Sequence, residues 1–257
     1  TDVALGATVN GARSLIINGS GVTTFGAAVG NATALTSVTT DAAGTLVMNG
    51  GSVTTSGGQT YGEAITLGAN TTLMGASITT DSTVNGAFGL TVNGSGNYIY
   101  NGYMRNVDTG GTGLLALVKS GSGTQTLAGG NILYTGATTV SSGVLQIGGS
   151  NLDSAIILGS HATLELNGLN ARIGSLAGSG TVQNNSTTAA ALTTGGNNTS
   201  TTFSGVIQDG GAGALSIVKT GSGAFTLTGA NTYTGTTTIS AGVLQVGSGG
   251  TTGTLGT

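Results

Sequence analysis

One passage of about thirty residues occurs twice in this chain, and that repetition limits the fold more than any other feature. From Leu117 the sequence reads LVKSGSGTQTLAGGNILYTGATTVSSGVLQIG, and from Ile217 it reads IVKTGSGAFTLTGANTYTGTTTISAGVLQVG. Lys119 matches Lys219, Gly121-Ser122-Gly123 matches Gly221-Ser222-Gly223, Leu127 matches Leu227 and Asn131 matches Asn231. The first copy carries one extra residue before Tyr134-Thr135-Gly136, the counterpart of Tyr233-Thr234-Gly235. The copies close on Val144-Leu145-Gln146 and Val243-Leu244-Gln245. A shorter mark, Leu-x-apolar-Asn-Gly, runs from Leu15 to Gly19, Leu46 to Gly50, Leu90 to Gly94 and Leu164 to Gly168. Such self-similarity belongs to units that bury their apolar faces only by stacking on their neighbours.

The repeated units read as strands. Apolar residues fall in short, alternating, β-branched runs such as SLIING, GTLVMNG and GVLQVG, the pattern of a half-buried strand. Glycine or threonine interrupts almost every candidate helix. The 51 glycines and 5% charged residues resemble a disordered composition, but a 37% hydrophobic fraction set in strand-like runs does not. Asn-Gly tolerates the left-handed backbone of a tight corner. The strands recur between Gly-rich corners without hairpin pairs, so the expected fold is all-β, a right-handed parallel β-helix. Each strand then pairs with its equivalent one coil away, threonines point outward, and the absence of proline suits a stack in which every strand is central. Coils of about 20 to 25 residues predict ten to twelve coils and, at about 4.8 Å each, a rod about 50 to 60 Å long.

These residues resemble a known family. The segments from LVKSGSGTQTL and IVKTGSGAFTLTGANTYTGTTTISAGVLQVG are similar to the passenger-associated transport repeat of bacterial autotransporter adhesins. ATLELNG, IGSLAGSGTV and TTFSGVIQDGGAGALSIVKTGSG resemble the lead-in to that repeat. Earlier stretches, such as NGSGVTTFGAAVG and LTVNGSG, resemble filamentous-haemagglutinin-like exoproteins. The resemblance implies a haemagglutinin-like β-helix over residues 1–113. It implies a second β-helical region over 114–257, with repeats at about 114–149 and 214–249, the whole forming one solenoid. It also implies a secreted or cell-surface bacterial protein, a non-enzymatic stalk or fibre acting in attachment, aggregation or biofilm. No C-terminal membrane barrel and no N-terminal secretion domain is recognised, and Thr1 reads as a mature or excerpted start.

Function classes fall away on composition. Five basic residues and a net charge of -3 cannot make a nucleic-acid surface. The longest apolar run, Leu114 to Val118, is far too short to span a membrane. Zero cysteine suits export as an unfolded chain, though many cytoplasmic proteins share it.

Candidate chemistry is sparse. His161, the single histidine, has Asp153 and Glu165 at a distance, but a triad needs a positioned nucleophile and an oriented base, and zinc needs three or four ligands. His161 reads as a solvated corner residue. Asp2, Asp41, Glu63, Asp81, Asp108, Asp153, Glu165 and Asp209 are scattered, which speaks against the runner-up reading, a carbohydrate-active β-helix enzyme or binding module. Asp41 and Asp81 both follow Thr-Thr and are expected on one face, several coils apart, as turn residues. Calcium nonapeptide repeats and a Walker glycine-lysine are absent, and no cofactor or metal is expected. The threonines are spaced too irregularly for an ice-binding array.

One stretch stands out, GNYIYNGYMRN, with Tyr98, Tyr100 and Tyr103 beside Met104 and Arg105. Exposed tyrosines stack on sugars or anchor a protein partner, so Tyr98, Tyr100, Tyr103 and Arg105 form the candidate ligand site, against a loop or a stacked-aromatic ladder plugging a wider coil as the alternative. Finally, reading the tail VLQVGSGGTTGTLGT into the head TDVALGATVNGARSLIING reproduces the internal VLQIGGSNLDSAIILGSHATLELNG. This predicts either a longer tandem chain or head-to-tail self-association into a fibre.

Overall fold

The computed structural model describes residues 1–106, 113–130, 132–148, 151–249 and 253–256. Among them there is no helix, and strand pairs with strand in parallel. The architecture is a parallel β-solenoid, as the alternation of apolar runs and glycine corners predicts. The chain divides into two compact units, Thr1–Gly136 and Ala137–Thr257.

In the first unit each level of the solenoid has three faces. One face stacks Val3–Leu5, Val22–Phe25, Thr45–Met48, Ala64–Leu67, Val84–Gly86 and Met104–Arg105. The next begins with single bridges from Val9 to Val29 and from Val29 to Val53, then stacks Ser52–Thr54, Thr71–Met74, Gly89–Asn93 and Ala116–Ser120. The third stacks Ser14–Ile17, Ser37–Thr40, Gly58–Tyr61, Ser77–Thr80, Tyr98–Tyr100 and Thr124–Leu127. Ile65 faces Val84, nineteen residues on, while Leu90 faces Leu117, twenty-seven on. Coil length therefore varies at the corners while register along each face is kept.

This arrangement explains the uneven spacing of the Leu-x-apolar-Asn-Gly mark. Leu15 lies on the third face, Leu46 on the first and Leu90 on the second. The mark ends a side of the prism, whichever side it is. Its glycines also act differently from expectation. Only Asn167-Gly168 is left-handed, with φ of 49° and 80°. At Gly50 and Gly94 the need is for space, since a Cβ would run into the carbonyl oxygen of Ala27 and the Tyr98 hydroxyl.

Alternate residues of each strand enter the prism. In Thr45–Met48, Leu46 and Met48 are buried and Thr45 is exposed. Each such leucine contributes about 1.5–3 kcal/mol by leaving water. Not every threonine faces outward: Thr23, Thr40, Thr55, Thr71 and Thr80 are buried. On the third face Thr40, Tyr61, Thr80 and Tyr100 stack in register, small above large, so that bulky rings fill a column otherwise lined by short side chains.

The second unit has the same three-sided form. Val140, Leu158, Gly178, Phe203, Leu227 and Val246 stack down one face. Leu145, Leu164, Val182 and Ile207 stack down another. The third carries Ala171, Leu192, Ile217 and Thr237. Val140 therefore shares its face with Val246, although its sequence counterpart, Ile239, stacks on Lys219 on a different face. The repeat period falls one side short of a whole number of turns. Val140 and its counterpart Ile239 thus occupy non-equivalent sides of the second unit's prism.

Candidate functional site

The tyrosine stretch is split by the wall of the solenoid. Tyr98 and Tyr100 lie at 0% and 1% exposure, correcting the expectation that they form a surface. The reason is register: Tyr98 stacks on Ile78 and Tyr100 on Thr80, both inward positions. The Tyr98 hydroxyl donates to the Gly75 carbonyl at 3.0 Å, and the Tyr61 hydroxyl donates to Gln59 Oε1 at 2.9 Å. Burial pushes the Tyr61, Tyr98 and Tyr100 phenols above their ordinary range, with neighbouring phenols adding to this at Tyr61 and Tyr100. These rings are core. Tyr103 remains at the surface, 48% exposed, near half-buried Arg105. Met104 bridges to Ile132, which brings exposed Leu133 over Arg105 on the next level. The accessible remnant of the candidate site is Tyr103 and half-buried Arg105, and exposed Leu133 is a surface neighbour that the sequence did not mark.

The two repeats share a buried cation. Lys119 and Lys219 sit inside the prism at 0% and 1% exposure. Both follow an inward residue by two, Leu117 and Ile217, so strand parity carries them in. Lys119 Nζ donates to the carbonyls of Ser120 (3.0 Å) and Gly121 (2.9 Å). Lys219 Nζ donates to those of Thr220 (2.6 Å), Gly221 (2.9 Å) and Ala241 (3.2 Å). Burial lowers both ammonium pKa values below the ordinary 10.5. Each lysine is a clamp on corner carbonyls.

A second shared device ties the lead-in to the repeat. Asp209 Oδ1 accepts from the N–H of Leu215 at 2.8 Å and of Thr234 at 3.1 Å. Burial alone would raise this carboxyl, but those bonds outweigh it and hold it below its ordinary value. In the first copy Asn106 Oδ1 accepts from Leu115 N–H at 2.9 Å and from Thr135 N–H at 3.4 Å. Asn231 Oδ1 accepts from Ile207 N–H at 2.9 Å. Its counterpart Asn131, like Asp108, lies outside the described residues.

His161 lies on the surface with Nδ1 3.2 Å from Ser160 Oγ. Glu165 accepts from the N–H groups of Asn167 and Asn185, both at 2.8 Å, and from Gln183 Nε2 at 3.0 Å, which makes it a corner residue. Asp153 lies 3.7 Å from Arg172 in an exposed pair. Asp41 and Asp81 share a corner two levels apart, since Thr40, Tyr61 and Thr80 stack in register. Asp81 Oδ1 accepts from Asn101 Nδ2 at 2.7 Å. Among the described residues no three His, Cys, Asp or Glu side chains converge.

One acidic residue was missed as a candidate. Glu63 is buried, and burial pushes its carboxyl above the ordinary value. The hydroxyls of Thr23 and Thr40 draw it partly back, while Asp41 beside it raises it further. The signal was present in GEAIT, where Glu63 shares the parity of inward Ile65 and Leu67.

Residues 117–147 and 217–246 both match the passenger-associated-transport-repeat family. Over 54 residues the chain is 48% identical to the adhesin BmaC autotransporter of Brucella suis biovar 1 (strain 1330). That match covers 21% of this chain and 2% of the relative's length. No solved structure matches the chain.

Proposed function

We propose that this chain, which carries two passenger-associated transport repeats on a parallel β-solenoid, is an adhesive segment of an autotransporter passenger displayed at a bacterial surface. The observation that carries this reading is the repeat pair at 117–147 and 217–246. The adhesin relative supports the adhesive role. The solenoid supplies reach: each level repeats the backbone ladder, and its interior is leucine, valine and tyrosine. In this reading the segment is non-enzymatic and works as a stalk. Its ligand is a glycan or protein of a host or matrix, met at Tyr103, Arg105 and Leu133. Sparse charge along the chain favours head-to-tail stacking into a fibre, which suits aggregation and biofilm.

Beads coated with the purified chain test it. Coated beads are expected to bind epithelial cells or matrix proteins well above albumin-coated beads. Replacing Tyr103 and Leu133 together by alanine is expected to lower that binding several-fold with an unchanged far-ultraviolet dichroism spectrum. Binding no greater than albumin reduces the segment to a spacer. Electron microscopy of unfixed protein reads the fibre directly: short rods at every concentration rule it out.

A further inference from the structure

A corner of the first unit gathers oxygen atoms that the protein does not satisfy by itself. Val22, Thr45 and Ala64 stack in register, so Gly21, Gly44 and Glu63, each one residue earlier, form one corner of three successive levels. The Glu63 side chain crosses the middle level: its Oε1 accepts from Thr23 Oγ1 at 3.2 Å, forty residues away. It can cross because the middle residue is Gly44. A Cβ there, at φ +99°, would lie 3.1 Å from Glu63 Oε1 and would run into the carbonyl oxygen of Gly21. The carbonyl oxygen of Gly19 is within 3.1 Å of the same point.

The preceding face ends at this corner and delivers Thr40 and Asp41 beside the carboxylate. Three buried oxygens here, Thr40 Oγ1, Asp41 Oδ1 and Glu63 Oε2, have no hydrogen-bond partner. The Thr40 hydroxyl is near enough to act on the Glu63 carboxyl but forms no hydrogen bond with it. Glu63 is 1% exposed and Thr40 3%. Among the described residues no lysine, arginine or histidine forms an ion pair with either acid. Two neighbouring carboxylates, one of them enclosed, are strongly unfavourable as a charged pair unless a cation joins them or one takes up a proton.

The donors are all hard oxygens: two carboxylates, two hydroxyls and the corner carbonyls. That set suits a cation taking several oxygen ligands in irregular geometry and, lacking nitrogen or sulfur, does not suit zinc. We propose that Glu63, Asp41, Thr40 and Thr23 form a calcium-binding niche that locks three levels of the first unit together. With only two carboxylates its affinity falls in the range of extracellular modules, a Kd of about 0.1–1 mM.

The test uses the full chain, freed of metal with EDTA. Calorimetric titration with calcium chloride is expected to show one site. Calcium at about ten millimolar is expected to raise the thermal midpoint by about 3–8 °C over EDTA. Glu63→Gln keeps the shape and removes the charge, so it abolishes both heat and shift. Asp81→Asn, at the same corner two levels on, retains them. Should Glu63→Gln fail to fold, Thr40→Val serves instead and is expected to weaken binding at least tenfold. Absence of a calcium-dependent shift in the wild type overturns the proposal and makes Glu63 a neutral buried acid. So does a shift that survives Glu63→Gln or Thr40→Val.

Discussion

In the second repeat, Lys219 reaches the carbonyls of Thr220, Gly221 and Ala241, and Asp209 gathers the N–H groups of Leu215 and Thr234. In the first, Lys119 reaches those of Ser120 and Gly121, and Asn106 gathers Leu115 and Thr135. The clamps agree although one copy uses a charged acceptor and the other a neutral one. What differs is placement. Thr138–Ile147 closes the first copy as one ten-residue strand, whereas the second closes as separate strands, Thr237–Ile239 and Val243–Val246. Within the second unit Val140 stands on the face of Val246, not on that of its counterpart Ile239. The repeat therefore encodes a corner and its clamp, and its closing strand is accepted on more than one side of the prism. This is how a quasi-one-dimensional fold behaves, because each level is stabilised mainly by its immediate neighbours.

The largest test of this equivalence is at the corner glycines. Gly121 and Gly221 have φ of 79° and 68°, and a Cβ would run into the carbonyl oxygens of Gly94 and Gly195. Gly121→Ala and Gly221→Ala are each expected to cost about 2–4 kcal/mol, read by denaturant unfolding. Loss in one copy with neutrality in the other would break the equivalence.

Removing the clamps comes next. Lys119→Met and Lys219→Met leave corner carbonyls unpaired and are expected to cost about 1–3 kcal/mol each. The pH dependence has a definite sign. Because burial holds both lysines below 10.5, the folded chain releases these protons before the unfolded chain does. Their contribution to stability therefore rises with pH between the folded value and about 10.5, and is constant below that window, where both states keep the proton. A double Lys→Met variant is expected to lose that alkaline rise in thermal unfolding scans.

The smallest effect sharpens the Asp209–Asn106 contrast. Asp209→Asn is expected to cost under about 1 kcal/mol at neutral pH, because Asn106 already does the same work. The wild type gains stability from Asp209 above the carboxyl's unfolded value of about 3.8 and loses it as pH falls through the lower folded value. An acid titration of stability should flatten in the variant; an unchanged profile would mean that the charge has no part in the corner.

Much of this was readable beforehand. Short β-branched runs between glycine corners led to parallel stacking, and the matched lysines and glycines located the repeats. The division of the tyrosines was not readable. Tyr98 and Tyr100 share parity, but parity alone does not say which side of the strand is the interior; their register with Ile78 and Thr80 does. The lysines and Glu63 were legible in principle, through their parity with Leu117, Ile217 and Ile65. Charge argued for the surface, and the corner carbonyls that receive each lysine are brought together only by the fold.

The sequence by itself determined the class of structure, because periodicity of two and glycine spacing are local properties of the chain. It also determined that two corners are built from the same residues. Only the tertiary structure decided that the prism has three faces, that Glu63 reaches Thr23 across the space left at Gly44, and which tyrosine stays at the surface. Those outcomes depend on how many residues each corner consumes, and so on which residues, some twenty positions apart, come to lie over one another.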